Sequence, residues 1–322
     1  MKAVRFHEHG GPEVLRYDDV ADPSPTEGQA LIRLHAIGVN FIDTYQRAGN
    51  YQVPLPYIAG QEGAGEVLAV GPGVTAVKPG DRVAYTGVPG AYAEQALAPA
   101  DKLVKLPRDI SYETAAAAML QGMTAHYLSH STYSLGNGDT CLIHAAAGGV
   151  GLLLTQMAKM RGATVIGTVS TPEKAETAKA AGADHIVLYT QEDFVEKVKE
   201  VTGGKGLPVV YDSVGKDTFE KSLECLAPRG FMVLYGQSSG PVAPFNPQIL
   251  NAKGSLFLTR PSLAHYTLTR EDLEWRAGDV LGWAASGNIN VHIGETHPLA
   301  DAAEAHRRLQ GRATTGKVLL LP

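Results

Sequence analysis

Cysteine is nearly absent: 322 residues hold only Cys141 and Cys225. Both stand inside apolar patterns, D-T-C-L-I-H and L-E-C-L-A, and read as small core hydrophobes, so neither a disulfide framework nor a cysteine zinc site is available. No apolar run approaches the roughly 18 residues that a membrane span needs. The opening M-K-A-V-R-F-H-E-H-G lacks the apolar core of a signal peptide, which makes a cytoplasmic location the expectation. Basic runs are missing too, and the formal net charge is −5, which argues against a dedicated nucleic-acid surface.

What is present is ordinary globular composition, 44% hydrophobic and 19% charged, in a chain beyond the size at which one core keeps growing. Two domains are expected. The texture changes near residue 122. Before it come short β-rich runs broken by Gly and Pro: A-L-I-R-L-H-A-I-G at 30 to 38, G-E-V-L-A-V-G at 65 to 71, D-R-V-A-Y at 81 to 85 and A-Y-A-E-Q-A-L at 91 to 97. This spacing predicts a compact, partly barrel-like β domain. From 139 onward apolar runs alternate with helical stretches, beginning T-C-L-I-H-A-A and a helix from about Gly149 to Arg161. Continuous apolar strands with helical crossovers predict an α/β domain with a parallel sheet covered on both faces. After S-L-F-L-T at 255 to 259 the chain is expected to return to the first domain and end in the strand K-V-L-L-L. The predicted boundaries are 1–121, 122–261 and 262–322.

The cofactor signal is the first strand-to-helix turn, H-A-A-A-G-G-V-G at 144 to 151. Read as a phosphate-binding turn, it has Ala146 in the first glycine position, Gly148 in the second and Gly151 in the third. The two surviving glycines are the ones that let backbone approach a pyrophosphate and let helix pack close to strand. An NAD enzyme tends to carry Asp or Glu roughly 20 residues beyond such a turn, on the ribose 2′-hydroxyl. Here 167 to 171 has no acid, and Ser170 is followed four residues on by Lys174. A hydroxyl and an ammonium hold a 2′-phosphate, so NADPH is the expected cofactor.

Further signatures run the length of the chain: H-G-G-P-E-V-L at 9 to 15, A-I-G-V-N-F-I-D-T-Y-Q-R-A-G at 36 to 49, G-Q-E-G-A-G-E-V at 60 to 67, V-G-P-G-V-T-A-V-K-P-G-D-R-V at 70 to 83, V-Y-D-S-V-G at 210 to 215 and R-A-T-T-G-K-V at 312 to 318. In these, and in their order, the chain resembles the zinc-free quinone oxidoreductases of the medium-chain dehydrogenase/reductase superfamily, the group that includes zeta-crystallin. The resemblance implies a Rossmann doubly wound sheet for the cofactor, a GroES-like catalytic domain and a homodimer. Zinc alcohol dehydrogenases of the same outline have a cysteine and a histidine where this chain has Asn40 and Gln61, and neither amide is a good zinc ligand. No metal is expected.

A quinone needs no Lewis acid, because its electron affinity already makes it a ready acceptor. Asn40, Asp43, Tyr45 and Tyr51 are the candidates for lining the substrate cleft: amide and phenols as donors, rings as stacking surfaces. By resemblance, Asn40, Phe41, Ile42, Asp43, Thr44, Tyr45 and Tyr127 belong to the nicotinamide side. Gly148, Gly149 and Val150 fall to the pyrophosphate, and Ser170, Lys174 and Tyr189 to the ribose phosphate. Ser213, Tyr235, Gly236, Gln237, Ser238, Ser239 and Arg312 complete that set. His126 and His130, four apart, read as an ordinary helix face, and T-G-G-K-G at 202 to 206 as a connection after a helix.

The activity these readings imply is NADPH-dependent quinone reduction by electron or hydride transfer. The alternatives are reduction of enones or reactive carbonyls, and a non-enzymatic role in single-stranded RNA binding or as a crystallin.

Overall fold

Strands form where the short β-rich runs stand. In the computed structural model, which describes residues 1–322, the first unit comprises Met1–Met123 and Thr267–Pro322. It begins with β1 (Lys2–Phe6), β2 (Arg16–Asp19), β3 (Gln29–Val39), α1 (Phe41–Arg47), β4 (Tyr57–Ile58) and β5 (Glu62–Val70). β6 (Arg82–Thr86), β7 (Gln95–Pro99), β8 (Val104–Lys105) and the greater part of α2 (Tyr112–Tyr127) follow, the last four residues of that helix belonging to the second unit. The second unit, Thr124–Tyr266, alternates strand and helix. Its elements are β9 (Thr140–Ile143), α3 (Gly149–Met160), β10 (Thr164–Val169), α4 (Pro172–Ala180), β11 (His185–Leu188) and α5 (Phe194–Thr202). These lead to β12 (Leu207–Asp212), α6 (Phe219–Glu224), β13 (Leu226–Leu234), α7 (Gln248–Ala252), β14 (Phe257–Thr259) and α8 (Leu263–Tyr266). The chain then rejoins the first unit through α9 (Arg270–Ser286), β15 (Ile293–Pro298), α10 (Ala302–Gln310) and β16 (Lys317–Leu321).

β3 organises the first unit. Its alternation buries Ala30, Ile32 and Leu34 and exposes Arg33 and His35, and its last four residues are buried whichever way they point. One edge pairs with β5; the other takes β7 along residues 29 to 33 and β16 at 37 to 39. The resulting seven-stranded sheet curls over a core that includes Ile32, Ile37, Val67, Val83, Tyr85 and Leu320.

In the second unit the six strands lie in the order β11-β10-β9-β12-β13-β14, every pairing parallel. The chain winds outward from β9 to β11, then crosses back to lay β12 beside β9, which is the doubly wound order. Leu142, Ile166, Val187, Val210 and Met232, one from each of five strands, pack with Phe194, Val198, Phe219 and Leu223 of α5 and α6. Burying one such side chain contributes about 1.5–3 kcal/mol.

Helix ends follow local chemistry. Thr171 caps α4 by accepting the Lys174 N–H, with Pro172 at the first helical position. Gly203, with φ 58°, closes α5, so T-G-G-K-G is a helix C-cap and not a phosphate loop. Cys141 and Cys225 are buried and unpaired, and burial pushes both thiols up to about 12. No helix is long and apolar enough to cross a membrane.

Two glycine substitutions should move stability in opposite directions. A Cβ on Gly65 would lie 1.9 Å from the Arg33 carbonyl oxygen across the β3–β5 ladder, so Gly65→Ala should cost ~1–3 kcal/mol. Gly278 in α9 has open space, so Gly278→Ala should add about 1 kcal/mol through helix propensity. Thermal and denaturant unfolding of the two variants check both signs.

Candidate functional site

In an open parallel sheet, ligands gather beyond the carboxyl ends of the strands where the winding reverses, here between β9 and β12. The sequence-selected residues of the second unit fall at those ends. Gly148 to Val150 follow β9, Ser170 follows β10, Tyr189 follows β11, Ser213 follows β12, and Tyr235 to Ser239 follow β13.

α3 starts behind Gly148, which is extended at φ −78°, ψ 168° and offers no side-chain cap, and the first turn holds no acid. Its first-turn N–H groups lack intrahelical acceptors and carry the positive end of the helix dipole. The two glycines differ in what requires them. A Cβ on Gly151 would lie 2.3 Å from the Ala145 carbonyl oxygen and 2.8 Å from Ala146 Cα, so helix and strand touch there. A Cβ on Gly148 would meet only the Ala145 oxygen, at 3.2 Å, so the room beside it suits an incoming anion. Ala146 fits the first glycine's place because β10 carries Gly167 opposite it, where a second Cβ would come within 2.8 Å of the Ala146 methyl. The left-handed residue of the turn is Ala145, at φ 53°.

Ser170 and Tyr189 leave adjacent strands together: the Tyr189 N–H donates to Val169 O at 3.2 Å, and Thr190 Oγ1 donates to Ser170 O at 3.3 Å. Lys174 is half-buried on the first turn of α4, and Tyr189 is exposed. The loops after β12 and β13 are knitted by Tyr235 N–H to Asp212 O (2.8 Å), Ser238 N–H to Ser213 O (3.1 Å) and Ser239 Oγ to Val214 O (2.7 Å). Gly236 lets them approach, since a Cβ there would lie 2.5 Å from Ser213 O.

The first unit holds a buried polar cluster. Lys317 of β16 and Glu62 of β5 form an ion pair at most 1% exposed. Asn40 joins both: its Nδ2 donates to Glu62 Oε2 at 2.8 Å, and its Oδ1 accepts from Lys317 Nζ at 2.8 Å. The Leu120 N–H completes the Glu62 carboxylate. Gly38 makes the room, because a Cβ there would overlap Glu62 Oε2 at 2.1 Å.

Asp43, at the third position of α1, accepts the Asn40 N–H at 2.8 Å and the Tyr92 hydroxyl at 3.2 Å through Oδ2, while its buried Oδ1 has no partner. Burial raises its pKa to about 7, against the opposing pull of the Asn40 N–H and the Lys317 charge. Tyr92 Oη lies 3.0 Å from His306 Nε2, and Arg47 Nη1 lies 3.0 Å from His306 Nδ1. Arginine only donates, so Nδ1 accepts, Nε2–H donates to Tyr92, and the tyrosine hydroxyl donates to Asp43. Burial, and then the Arg47 charge, push His306 down to about 3, which keeps the ring neutral.

These contacts correct one expectation. Asn40 and Asp43 do not line open space as substrate donors: they are 4% and 1% exposed, and their polar atoms hold the start of α1 in place. Thr44 is also buried, bonding back to Phe41 O at 2.7 Å. Phe41, Ile42 and Tyr45 are half-buried. Tyr45 meets exposed Tyr51 edge-on, centroids 5.8 Å apart at 86°, which forms an aromatic wall. In the second unit Tyr127 is buried with its ring stacked on Tyr266 at 4.3 Å. Arg312 belongs to the first unit and is exposed, at φ 56°. His126 and His130 stack at 4.3 Å, with no third ligand to make a metal site. Glu62, Lys317, Tyr92, His306 and Arg47 were not selected from sequence. The available signal was two opposite charges, Glu62 and Lys317, inside apolar strands where each requires a partner.

Residues 26–108 match the alcohol dehydrogenase GroES-like domain, and 149–277 match the zinc-binding dehydrogenase family. The chain is 51% identical to a quinone oxidoreductase of Pseudomonas aeruginosa, over 100% of this chain and 99% of that one. It is 46% identical to a 2-haloacrylate reductase of a Burkholderia species, over 100% and 99%. A crystal structure of Escherichia coli quinone oxidoreductase complexed with NADPH superposes with a TM-score of 0.98, at 49% identity and full coverage of both chains. Zinc does not fit the donor set of this chain. The Asn40 amide is engaged by Glu62 and by a fixed ammonium, and no three His, Cys, Asp or Glu residues are grouped to hold a metal ion.

The cluster predicts a pH signature. Asp43, raised from 3.8 to about 7, contributes stability that is present at low pH and lost as pH rises; His306, lowered from 6.5 to about 3, contributes stability lost as pH falls. From pH ~4 to ~6.5 the two slopes oppose. Asp43→Asn keeps an oxygen for the Asn40 N–H and removes one slope, so the variant should lose stability on acidification more steeply than the parent. Denaturant midpoints across that range measure the difference.

Proposed function

We propose that this chain, which belongs to the zinc-free quinone oxidoreductases of the medium-chain dehydrogenase/reductase superfamily, is an NADPH-dependent quinone reductase that works without a metal. The observation that carries the reading is the pair Ser170 and Lys174 at the carboxyl end of β10, where an NAD enzyme carries an acid, in a chain whose Escherichia coli relative is complexed with NADPH.

When bound, NADPH supplies a hydride or its electrons to an acceptor. The chain's own residues hold and orient the two partners. The α3 N-terminus, with Gly148, Gly149 and Val150, would hold the pyrophosphate, and Ser170, Lys174 and Tyr189 would hold the 2′-phosphate. By the family resemblance, Tyr127, Ser213 and Tyr235 to Ser239 are the further cofactor residues of the second unit, and Phe41, Ile42 and Arg312 those of the first. Tyr45 and Tyr51 offer a planar quinone an aromatic surface and two hydroxyl donors. Asn40, Asp43 and Thr44 act one step behind, by fixing α1. Positioning of this kind suffices for an acceptor that needs no Lewis acid.

The likeness to a 2-haloacrylate reductase favours a second reading, reduction of activated alkenes. NADPH oxidation against ortho- and para-quinones, enones, aldehydes and 2-haloacrylate decides between them, with quinones expected to turn over fastest. A 2-haloacrylate rate above every quinone would reverse the order. Chelator treatment should leave quinone turnover intact.

A cytoplasmic homodimer completes the reading. β14 is the outer strand of its sheet, Phe257 on it is 53% exposed, and no charge or proline interrupts the edge before Arg260 and Pro261. Pairing two such edges about a two-fold axis satisfies their free backbone groups.

Two variants test these readings. Lys174→Ala should weaken NADPH binding by about one to two factors of ten and leave NADH nearly unchanged. Phe257→Lys should shift the sedimenting species from dimer towards the 34.1 kDa chain.

A further inference from the structure

The imidazole of His144 lies inside the second unit, 1% exposed, directly after β9. Its Nδ1 is 3.0 Å from Thr168 Oγ1 on β10, and its Nε2 is 2.9 Å from Ser222 Oγ on α6. The Ala145 N–H points to Thr168 Oγ1 at 3.4 Å. Ser222 Oγ in turn lies 3.4 Å from Asp212 Oδ2. Asp212 Oδ1 accepts the N–H groups of Val214 at 2.7 Å and Gly215 at 3.0 Å, and the single Thr218 hydroxyl hydrogen points to the carboxylate, 2.7 Å from Oδ2 and 2.9 Å from Oδ1.

Donor counting fixes the direction of this chain. Thr168 Oγ1 accepts the Ala145 N–H, and sending its own hydrogen to His144 Nδ1 is the arrangement that gives every hydrogen an acceptor, since the reverse run leaves the Thr168 hydrogen with none. The ring proton then sits on Nε2 and goes to Ser222 Oγ, whose hydrogen goes to Asp212. Every hydrogen runs one way, from the glycine turn after β9 to the turn after β12, and the imidazole is neutral throughout; burial of the ring lowers its pKa in the same sense.

The Ala145 end is where a small shift matters. Ala145 holds a left-handed conformation that a residue with a Cβ keeps only when its surroundings enforce it. Its carbonyl accepts the Gly148 N–H at 2.9 Å and lies against Gly151, so both glycines of the phosphate turn take their positions from Ala145.

We propose that His144 is a positioning residue for NADPH: through Thr168 and Ser222 its neutral ring ties the phosphate turn 145–151 to the turn 212–215 and sets the spacing that one dinucleotide bridges. The inference rests on the NADPH reading above and adds three residues to it. None of the three touches the cofactor; they act through the backbone of the two turns.

The experiment is direct NADPH titration by nicotinamide fluorescence on the parent, Thr168→Ser, Thr168→Val, Ser222→Ala and the double variant Thr168→Val/Ser222→Ala. Each valine or alanine variant should bind NADPH roughly three- to tenfold more weakly, the usual worth of one net hydrogen bond. Thr168→Ser, which keeps the hydroxyl, should stay within about twofold of the parent, below that range. The two hydroxyls share one imidazole, so the double variant should bind little worse than the weaker single variant. In steady state the NADPH KM should rise while kcat at saturation holds.

Ser222→Ala alone suffices if Thr168→Val does not fold, because alanine suits a helix and Ser222 lies outside the phosphate turn. An unchanged NADPH Kd in Ser222→Ala, or losses that multiply in the double variant, would overturn the coupling. A parent protein that fails to bind NADPH would overturn the cofactor reading and this inference with it.

Discussion

A charge inside an apolar core persists only beside its opposite, and the first unit is arranged round that constraint. Glu62 and Lys317 are buried together, Glu62 from β5 and Lys317 from β16, with β3 reduced to a bare glycine between them. Desolvating both ions costs several kcal/mol each, so the pair is weak evidence for stability, but removing one partner would strand the other. Its structural effect is geometric. Asn40 bonds both members, and Asn40 begins α1, so the last strand of the chain fixes the direction in which the aromatic wall of Tyr45 and Tyr51 leaves the sheet.

Where a metal enzyme of this outline has a cysteine ligand for its cation, this chain has Asn40, an amide committed to Glu62 and Lys317. Such a group holds neighbours in place and polarises nothing beyond them. The chemistry is thereby handed to the acceptor, which agrees with substrates whose electron affinity is their own.

Much of this was legible from sequence because it is local. The apolar runs, the glycine turn and the edge segment S-L-F-L-T depend on residues within a few positions of each other. Ser170 was legible for the same reason, as a strand-end residue, whereas Tyr189 came only through the family resemblance. The side-chain networks were not. Arg47 and His306 are 259 positions apart, Lys317 and Asn40 277 apart, and no spacing rule links them. Asn40 and Asp43 therefore looked like donors awaiting a substrate, when each already had internal partners. The alanine in the first glycine position was also opaque, because what permits it is Gly167 on the neighbouring strand.

The two cysteines acquire a meaning that their scarcity alone did not suggest. Quinones and haloacrylates are electrophiles that add to thiolates, and a surface thiolate would be arylated by the compounds this family handles. Both sulfurs here are sealed in the core of the second unit and held as thiols up to about pH 12. No thiolate is thereby presented to such electrophiles near neutral pH, a form of chemical durability that rests on burial rather than on any repair.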